Sequence, residues 1–430
     1  MWAVLGGTFT LRFSTGLTGA MLGVYLAKLP EHGGSEVDPT TLGILSAAFF
    51  ISELVLSPIF GVVSDRLGHH RVMLFGPAFG AVAVILTGLT TNLFLLGGTR
   101  LLEGASTAAS VPSILGYIAL ATAGSEVLRG KAAARFEGAT LAGLGVGFAT
   151  APLLFHALGP VAFFVNAVIY GVSFLIYRFG VEDRDRDERS ARAASATNRM
   201  DWSRYRVLLR TSHVWLLAPT WIAVNASIGV WFSQSIFQFS KSDPRFPDQF
   251  LLRGFSPMQI SLGAVVIGVI FGAGLLYWGN RFKSLRRTTI ILYGILGGGL
   301  LVAAGAVVNH AAGMPIVIPL VAAVALAFGL FVLAGATPAA LGLLADISER
   351  FPTDRGAIMG LYSVFLAIGQ ITGSLIGGLS AKWLGIDGLL ISTFALLLVA
   401  LLPLAQLRRQ EHYVGGPESP AEFDRVGVDP

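Results

Sequence analysis

Along most of this chain, apolar residues run for twenty or more positions, give way to a few charged or turn-forming ones, and then resume. Neither the alternation of a half-buried strand nor the single stripe of a surface helix is visible. Runs of this length match a helix crossing a hydrocarbon core about 30 Å thick. Twelve are expected, at 3–27, 40–63, 72–91, 93–123, 132–156, 159–179, 213–238, 258–279, 288–308, 315–346, 355–383 and 386–407. The fold class is therefore an all-α membrane protein of twelve transmembrane helices. Every backbone polar group of such a span must be satisfied within the span itself.

The polar positions orient the spans. With the first helix running from inside to outside, the inner connections hold Arg66, Arg71, Arg129, Lys131, Arg135, Arg281, Lys283, Arg286, Arg287, Arg350 and Arg355. The outer ones hold only Lys28, Lys241, Arg245, Arg253 and Lys382. That bias puts both termini in the cytoplasm of a multi-pass inner-membrane protein. Residues 180–200 alternate acids with arginines and lack large apolar side chains, the pattern of a solvated linker. Asp201–Arg210 reads either as an amphipathic helix on the inner leaflet, with Trp202 and Tyr205 at headgroup level, or as more linker. The expected organisation is a first six-helix bundle over 1–179, a cytoplasmic linker over 180–212, a second bundle over 213–409, and a disordered tail over 410–430.

Composition agrees with the pattern. Of 430 residues 54% are hydrophobic and 13% charged, outside the range of a soluble domain. The net charge of +5 sits in loops between spans, so topology accounts for it and no nucleic-acid partner is implied. Absence of cysteine removes disulfides, thiolate catalysis and cysteine-bound metal. The first run starts at Trp2 with no basic region before it, so it reads as a span rather than a cleavable leader, and the abrupt start leaves room for residues upstream.

The linker divides the spans six to six, and sliding the second half back by 226 positions lays Pro112 on Pro338, Gly116 on Gly342, and Arg129-Gly130 on Arg355-Gly356. Gly143 then meets Gly369 and Gly147 meets Gly373. Between spans two and three lies Gly61-Val-Val-Ser-Asp65-Arg66-Leu-Gly68-His-His-Arg71. Span four carries Arg100-Leu-Leu-Glu103-Gly104, and a degraded copy of the hairpin, Gly279-Asn280-Arg281-Phe-Lys283-Ser-Leu-Arg286-Arg287, follows span eight. These stretches resemble, respectively, the G-x-x-x-D-R-x-G-x-x-R loop of the major facilitator superfamily, its R-x-x-x-G motif, and the weaker second copy of its loop.

The resemblance covers nearly the whole chain. It implies two pseudo-symmetric six-helix bundles around a midplane cavity. Span five has Gly143, Gly145 and Gly147 followed by Ala151-Pro152, a partial match to the family's drug/proton antiporters that lacks their G-P-x-x-G-G run. The resemblance further implies that Asp65 faces the start of span eleven, which opens after Asp354-Arg355-Gly356. A carboxylate there gains about 0.3–1 kcal/mol from the helix N-terminus when exposed. Gly61, Asp65, Arg66, Gly68, Arg71 and Arg355 are thus gating candidates. The plainer alternative is a positively charged inner turn.

Charges within spans are expensive and usually mark a pathway or an internal pair. Arg100 and Glu103 share a helix face and either neutralise each other or, as the family motif implies, couple an arginine to a protonatable carboxylate. Glu53, isolated in span two, is a proton- or substrate-coupling candidate, alternatively a static partner of Arg12. Arg12 itself is within snorkelling reach of the inner end. Asp346 reads as a cap or a partner of Arg350. Tyr117 of span four and Asn225, Trp231, Gln234 and Gln238 of span seven either contact a small organic solute or serve packing.

No catalytic set, cofactor site or metal cluster is evident: the seven histidines form no metal-like motif, and Gly124–Lys131 has one residue too many for a phosphate loop. The expectation is a monomeric, non-enzymatic secondary transporter of a small-molecule substrate in the lipid bilayer, moving it outward by alternating access in exchange for H+. Uptake by symport or facilitated diffusion is the alternative, and a non-transporting sensor or scaffold of the same fold is the alternative from another class.

Overall fold

A computed structural model describes residues 1–122, 125–182, 214–283, 285–349 and 355–409. The expected amphipathic segment 201–210, nearly all of the 180–212 linker, and the 410–430 tail lie outside them, as do the side chains of Asp346, Arg350 and Arg355.

Among the described residues the structure is helical. α1 (Trp2–Ala27), α2 (Pro39–Leu67), α3 (His69–Met73), α4 (Phe75–Leu89), α5 (Leu93–Ala121), α6 (Glu126–Leu158) and α7 (Val161–Gly180) make up the first half. α8 (Val214–Ser240), α9 (Pro257–Gly279), α10 (Arg287–Asn309), α11 (Val317–Leu333), α12 (Ala336–Glu349) and α13 (Arg355–Arg409) make up the second. Ten described stretches are long and apolar enough to cross a membrane. One of these, Ser363–Arg409, passes through Gly385 at φ 61° and so contains two crossings. α1 is 26 residues long, enough to cross, although it carries Arg12 and many small residues.

Two expected spans are interrupted. The third is split at Leu74 into α3 and α4, and the tenth at Ala334–Gly335 into α11 and α12. The second break has a physical cause. A Cβ on Gly335 would meet the Trp278 indole at 2.7 Å, so only glycine lets the ring in. The indole Nε1–H donates to the Phe331 carbonyl (3.1 Å), an acceptor that the broken turn leaves free.

Local chemistry sets the ends. Asp38 caps α2 by accepting from Thr41 N–H (2.7 Å), and Asn92 caps α5 by accepting from Phe94 N–H (2.9 Å). At the other end of α2, Gly68 takes φ 101°, a conformation that favours glycine, and the chain turns there into α3.

The described residues fall into two compact units. The first takes residues 1–197 together with 229–268 and 370–389. In it α1 packs on α6 and α7, α2 on α5, and α4 on α5 and α7. Its core includes Leu17, Met21, Tyr25, Phe163, Tyr170 and Tyr177. The second unit takes 198–228, 269–369 and 390–430. There α10 packs on α11 and α12 around Trp221, Ile290, Ile291, Ala340, Leu344 and Leu404. Exposed apolar side chains such as Phe94, Leu276, Ile316 and Leu402 suit a lipid solvent.

The helix seams repeat. A Cβ on Gly16 of α1 would meet the Leu144 carbonyl oxygen of α6 at 2.4 Å, and a Cβ on Gly229 of α8 would meet Gln370 of α13 at 3.1 Å. Gly143 lies against Phe9 and Arg12, and Gly369 against Ile222 and Asn225. Leu144 falls on Gln370, and Gly143 on Gly369, at the offset read from the sequence, so the repeat is present in the packing as well. Small residues of this kind let membrane helices approach backbone to backbone.

Candidate functional site

The hairpin between α2 and α4 is built around Gly68. α2 ends with Gly68 N–H donating to the Ser64 carbonyl (3.0 Å), and the positive φ swings His69 and His70 inward while Arg66 and Arg71 stay exposed. His69 is buried, with Nδ1 3.2 Å from Ser64 Oγ and Nε2 3.8 Å from Asp65. His70 is buried too, and its Nε2 donates to the Tyr177 carbonyl of α7 (2.9 Å). The Asp65 side chain is 72% exposed. Gly61 lies half-buried, 3.9 Å by its would-be Cβ from Pro112. The sequence assigns the two histidines no role, since the seven histidines form no metal-like motif. Their burial follows from the turn.

In the middle of the first unit the charges fall into two groups. Arg100 and Glu103 of α5 are both buried and paired, and the guanidinium stacks over the Phe49 ring at 4.8 Å. Glu103 Oε1 and Arg100 Nε have no hydrogen-bond partner. Tyr170 of α7 faces this pair and its hydroxyl lies 3.4 Å from Thr15 of α1. Around it, α4 and α5 touch through small polar groups, with Ser106 Oγ donating to the Gly76 carbonyl at 2.6 Å.

The second group is spread over α1, α2 and α6: Arg12 and Glu53 are half-buried and Glu137 is exposed. Glu53 stands where α2 meets α5, its backbone nitrogen 3.1 Å from a would-be Cβ on Gly104.

The polar candidates do not form one surface. Tyr117 is buried in the core of the first unit. Gln234 is buried there as well, its Nε2–H donating to the Pro39 carbonyl (3.1 Å), with Gln238 buried one turn further on. Trp231 is half-buried. Asn225 belongs to the second unit, where its Nδ2–H donates to the Trp221 carbonyl (2.9 Å).

At the opposite end from the hairpin, still within the first unit, Lys382 pairs with Asp38 (2.8 Å) and Lys241 with Glu36 (2.6 Å). Gln249 clamps the Gly385 turn, accepting from Ile386 N–H (2.8 Å) and donating to the Leu384 carbonyl (2.9 Å). The hydrogen bond and charge of Lys241 hold the Glu36 carboxyl below its ordinary value. Burial pushes Asp38 up, but hydrogen bonds from Lys382 and Thr41 outweigh it and leave the carboxyl lowered. Backbone contact seals this end. A Cβ on Gly43 would meet the Ser374 carbonyl oxygen at 2.4 Å, and one on Gly378 the Pro39 carbonyl oxygen at 2.7 Å.

Comparison with known proteins places these features in a family. The profile described as Major Facilitator Superfamily matches residues 4–252 and 244–426. The chain is similar to Multidrug resistance protein 2 of Bacillus subtilis (strain 168), 26% identical over 348 residues that cover 79% of this chain and 80% of that protein. It is 24% identical to Quinolone resistance protein NorA of Staphylococcus aureus (strain MSSA476) over 299 residues, 67% of this chain and 68% of the other. With Tetracycline resistance protein, class D, of Salmonella ordonez it shares 25% identity, covering 68% of this chain and 70% of that one. Among solved structures, the nucleoside transporter NupG matches with a TM-score of 0.69 at 14% identity, over 95% of this chain and 98% of that one. The peptide transporter POT matches with 0.69 at 15%, over 96% and 95%.

Proposed function

We propose a specific transport activity on the premise that the chain belongs to the Major Facilitator Superfamily. As a member it is a multi-pass membrane transporter of a small molecule, not an enzyme. The finer reading is export of a small organic solute in exchange for protons, by a monomer in the inner membrane with both termini in the cytoplasm. Its two six-helix halves, joined by the 180–212 linker, alternate access to the solute. The outward direction is supported by the kinship with proteins named for multidrug, quinolone and tetracycline resistance.

The observation that carries the reading is Glu53. It lies in the middle of α2 and is half-buried there. A carboxylate that can be neutralised by a proton or paired with a cation, placed at membrane depth, is the element a proton-driven exchange requires. Arg100 and Glu103 supply a second protonatable pair. Asp65, with Gly61, Arg66, Gly68 and Arg71 shaping its hairpin, is the gating carboxylate, and Arg355 the gating residue of the second half. Trp231, half-buried, is the favoured solute contact among the aromatic candidates, while Asn225 and Gln234 donate to backbone carbonyls and Tyr117 packs in the core of the first unit.

The test is flux in proteoliposomes under an imposed pH gradient, with a quinolone and a tetracycline as probes. Proton flow in one direction should drive probe flow in the other, and Glu53→Gln should abolish that drive while leaving the protein folded. Probe flow in the same direction as the protons would replace export by symport. Undiminished proton-driven exchange in Glu53→Gln would remove Glu53 from the mechanism, and absence of any flux would favour a sensor or scaffold.

A further inference from the structure

Away from the Gly68 hairpin, and wholly within the first unit, the ends of α1, α6 and α8 and the start of α9 enclose a cavity of about 250 Å³. Turns in the chain shape its walls. α1 stops at Ala27, and a helical turn over Leu29–His32 follows, closed by Gly33 at φ 82°. α6 stops at Leu158, where Gly159 takes φ 56° and its N–H donates to the Phe155 carbonyl (2.7 Å). Both turns sit in the left-handed region that glycine tolerates. The Phe255 N–H donates to the Phe239 carbonyl (2.7 Å), which ties the approach to α9 onto the end of α8.

The lining has two chemistries. Part of it is apolar, with Phe155, Phe255, Pro257 and Ile260. The rings are held in place, Phe155 against Tyr25 (centroids 6.0 Å) and edge-on to His32 (6.2 Å), Phe255 edge-on to Phe239 (6.0 Å). The rest is polar: Lys28, Glu31, His32, His156 and Ser240. Lys28 and Glu31 are three residues apart, yet neither side chain has a hydrogen-bond or ion-pair partner among the described residues. Nor does the ammonium cap α1, whose last carbonyls accept from the Lys28 backbone N–H. The Ser240 Oγ is buried and also without a partner. Lys28 is half-buried and Glu31 exposed, so the uncompensated charge on the sheltered side is positive. A sheltered ammonium and an unsatisfied hydroxyl both cost free energy that an anionic acceptor would recover.

We propose that this cavity binds a single-ring aromatic carboxylate. Its carboxylate pairs with Lys28 and accepts from Ser240, and its ring packs among Phe155, Phe255 and Ile260. Volume limits the occupant: drug-sized ligands take pockets of about 300–1,000 Å³, larger than this one. The site shares no residue with the proton-coupling, gating or solute-contact groups named above, and its occupancy is independent of the transport reading.

The experiment is equilibrium dialysis of radiolabelled benzoate against the full chain in nanodiscs, with uptake by empty nanodiscs subtracted. Saturable binding is expected. Lys28→Met keeps the stem and removes the charge, so it should weaken binding by about tenfold or more, the loss of a charge-assisted hydrogen bond. Glu31→Gln should leave binding equal or tighter. Ser240→Leu narrows the cavity with Lys28 in place and should abolish it. In competition, cyclohexanecarboxylate carries the charge without the aromatic ring, and benzylamine the ring with the opposite charge. Each should displace benzoate several-fold less well than benzoate itself. No saturable binding, or wild-type affinity in Lys28→Met or in Ser240→Leu, overturns the proposal. Benzylamine or cyclohexanecarboxylate competing as well as benzoate overturns the ligand class. Displacement of benzoate by a quinolone, which is too large for the cavity, would place benzoate on the transport route and overturn it as well.

Discussion

The buried imidazole of His69 lies flat against Gly116: a Cβ there would be 2.4 Å from the ring's Cε1. In the second unit, Gly342 stands in the same relation to Arg287, with a would-be Cβ 2.7 Å from a guanidinium nitrogen. Gly116 and Gly342 coincide at the internal repeat, and each basic residue is the first of the α-helix that follows the second span of its half. In both halves a missing side chain on the fourth span thus seats the basic residue that opens the next helix.

Filling either notch should cost stability. Gly116→Ala forces the ring or α5 to move and is expected to lose about 1–3 kcal/mol, as overpacked sites do. Gly138→Ala, whose Cβ would meet nothing within 4 Å, should be neutral or slightly stabilising. Thermal unfolding of the purified protein compares them directly. Equal midpoints for the two variants would mean that the His69 seat carries no packing energy.

The contact of the first unit made by Lys382–Asp38 and Lys241–Glu36 is expected to loosen in acid. Asp38 and Glu36 sit below ordinary values of 3.8 and 4.5, so their contribution to that contact is complete above those values. It is lost as pH falls through the lower values they hold in the folded protein. Because the chain has no cysteine, spin labels at Ile44→Cys and Leu379→Cys report the α2–α13 separation without background. Their distance should stay constant from neutral pH down to about 4.5 and lengthen below 3.8. Lys382→Gln should already lengthen it at neutral pH. A distance unmoved by that substitution would assign the contact to the Gly43 and Gly378 backbone seams alone.

How much of this could be read in advance depended on whether a signal was local. Uninterrupted apolar runs located the helices within a few residues, since span length is imposed by the bilayer rather than by partners. The split at Ala334–Gly335 was invisible because it depends on Trp278, more than fifty residues away. Asp65 announced itself through its neighbours in sequence. His69 did not, because its burial comes from the turn at Gly68 and from Gly116 on another helix. Likewise Gln234 and Asn225 looked like cavity groups, but an amide on an apolar helix is equally the donor that a neighbouring carbonyl needs, as Pro39 and Trp221 show.

Asp65 offers a test of gating separate from stability. Its carboxylate is largely in solvent, and the basic ring beside it is His69, Nε2 at 3.8 Å. Asp65→Asn should therefore change unfolding stability by no more than about 0.5 kcal/mol. If it latches the inner side in another state, the same variant should broaden the distance distribution between labels at Leu67→Cys and Arg281→Cys. A distribution identical to that of the unsubstituted protein would leave the hairpin as a positively charged turn and nothing more.

The Arg100–Glu103 pair makes the sharpest energetic prediction. Both groups are buried, so removing the arginine leaves a carboxylate with no compensating charge, at a cost of about 3–5 kcal/mol. Arg100→Leu should accordingly unfold at much lower temperature than wild type. Arg100→Leu combined with Glu103→Leu should recover most of the loss, because two apolar side chains need no partner. Glu103→Gln keeps an oxygen for Arg100 but removes its counter-charge, so it too should lower stability, by less than Arg100→Leu because the hydrogen bond survives. Its effect on function is what separates the two roles left open for the pair. If Glu103 exchanges a proton during transport, Glu103→Gln displaces the pH profile of probe flux. If the profile of Glu103→Gln overlays that of wild type, the pair only ties α5 to the Phe49 ring of α2, and proton coupling falls to Glu53.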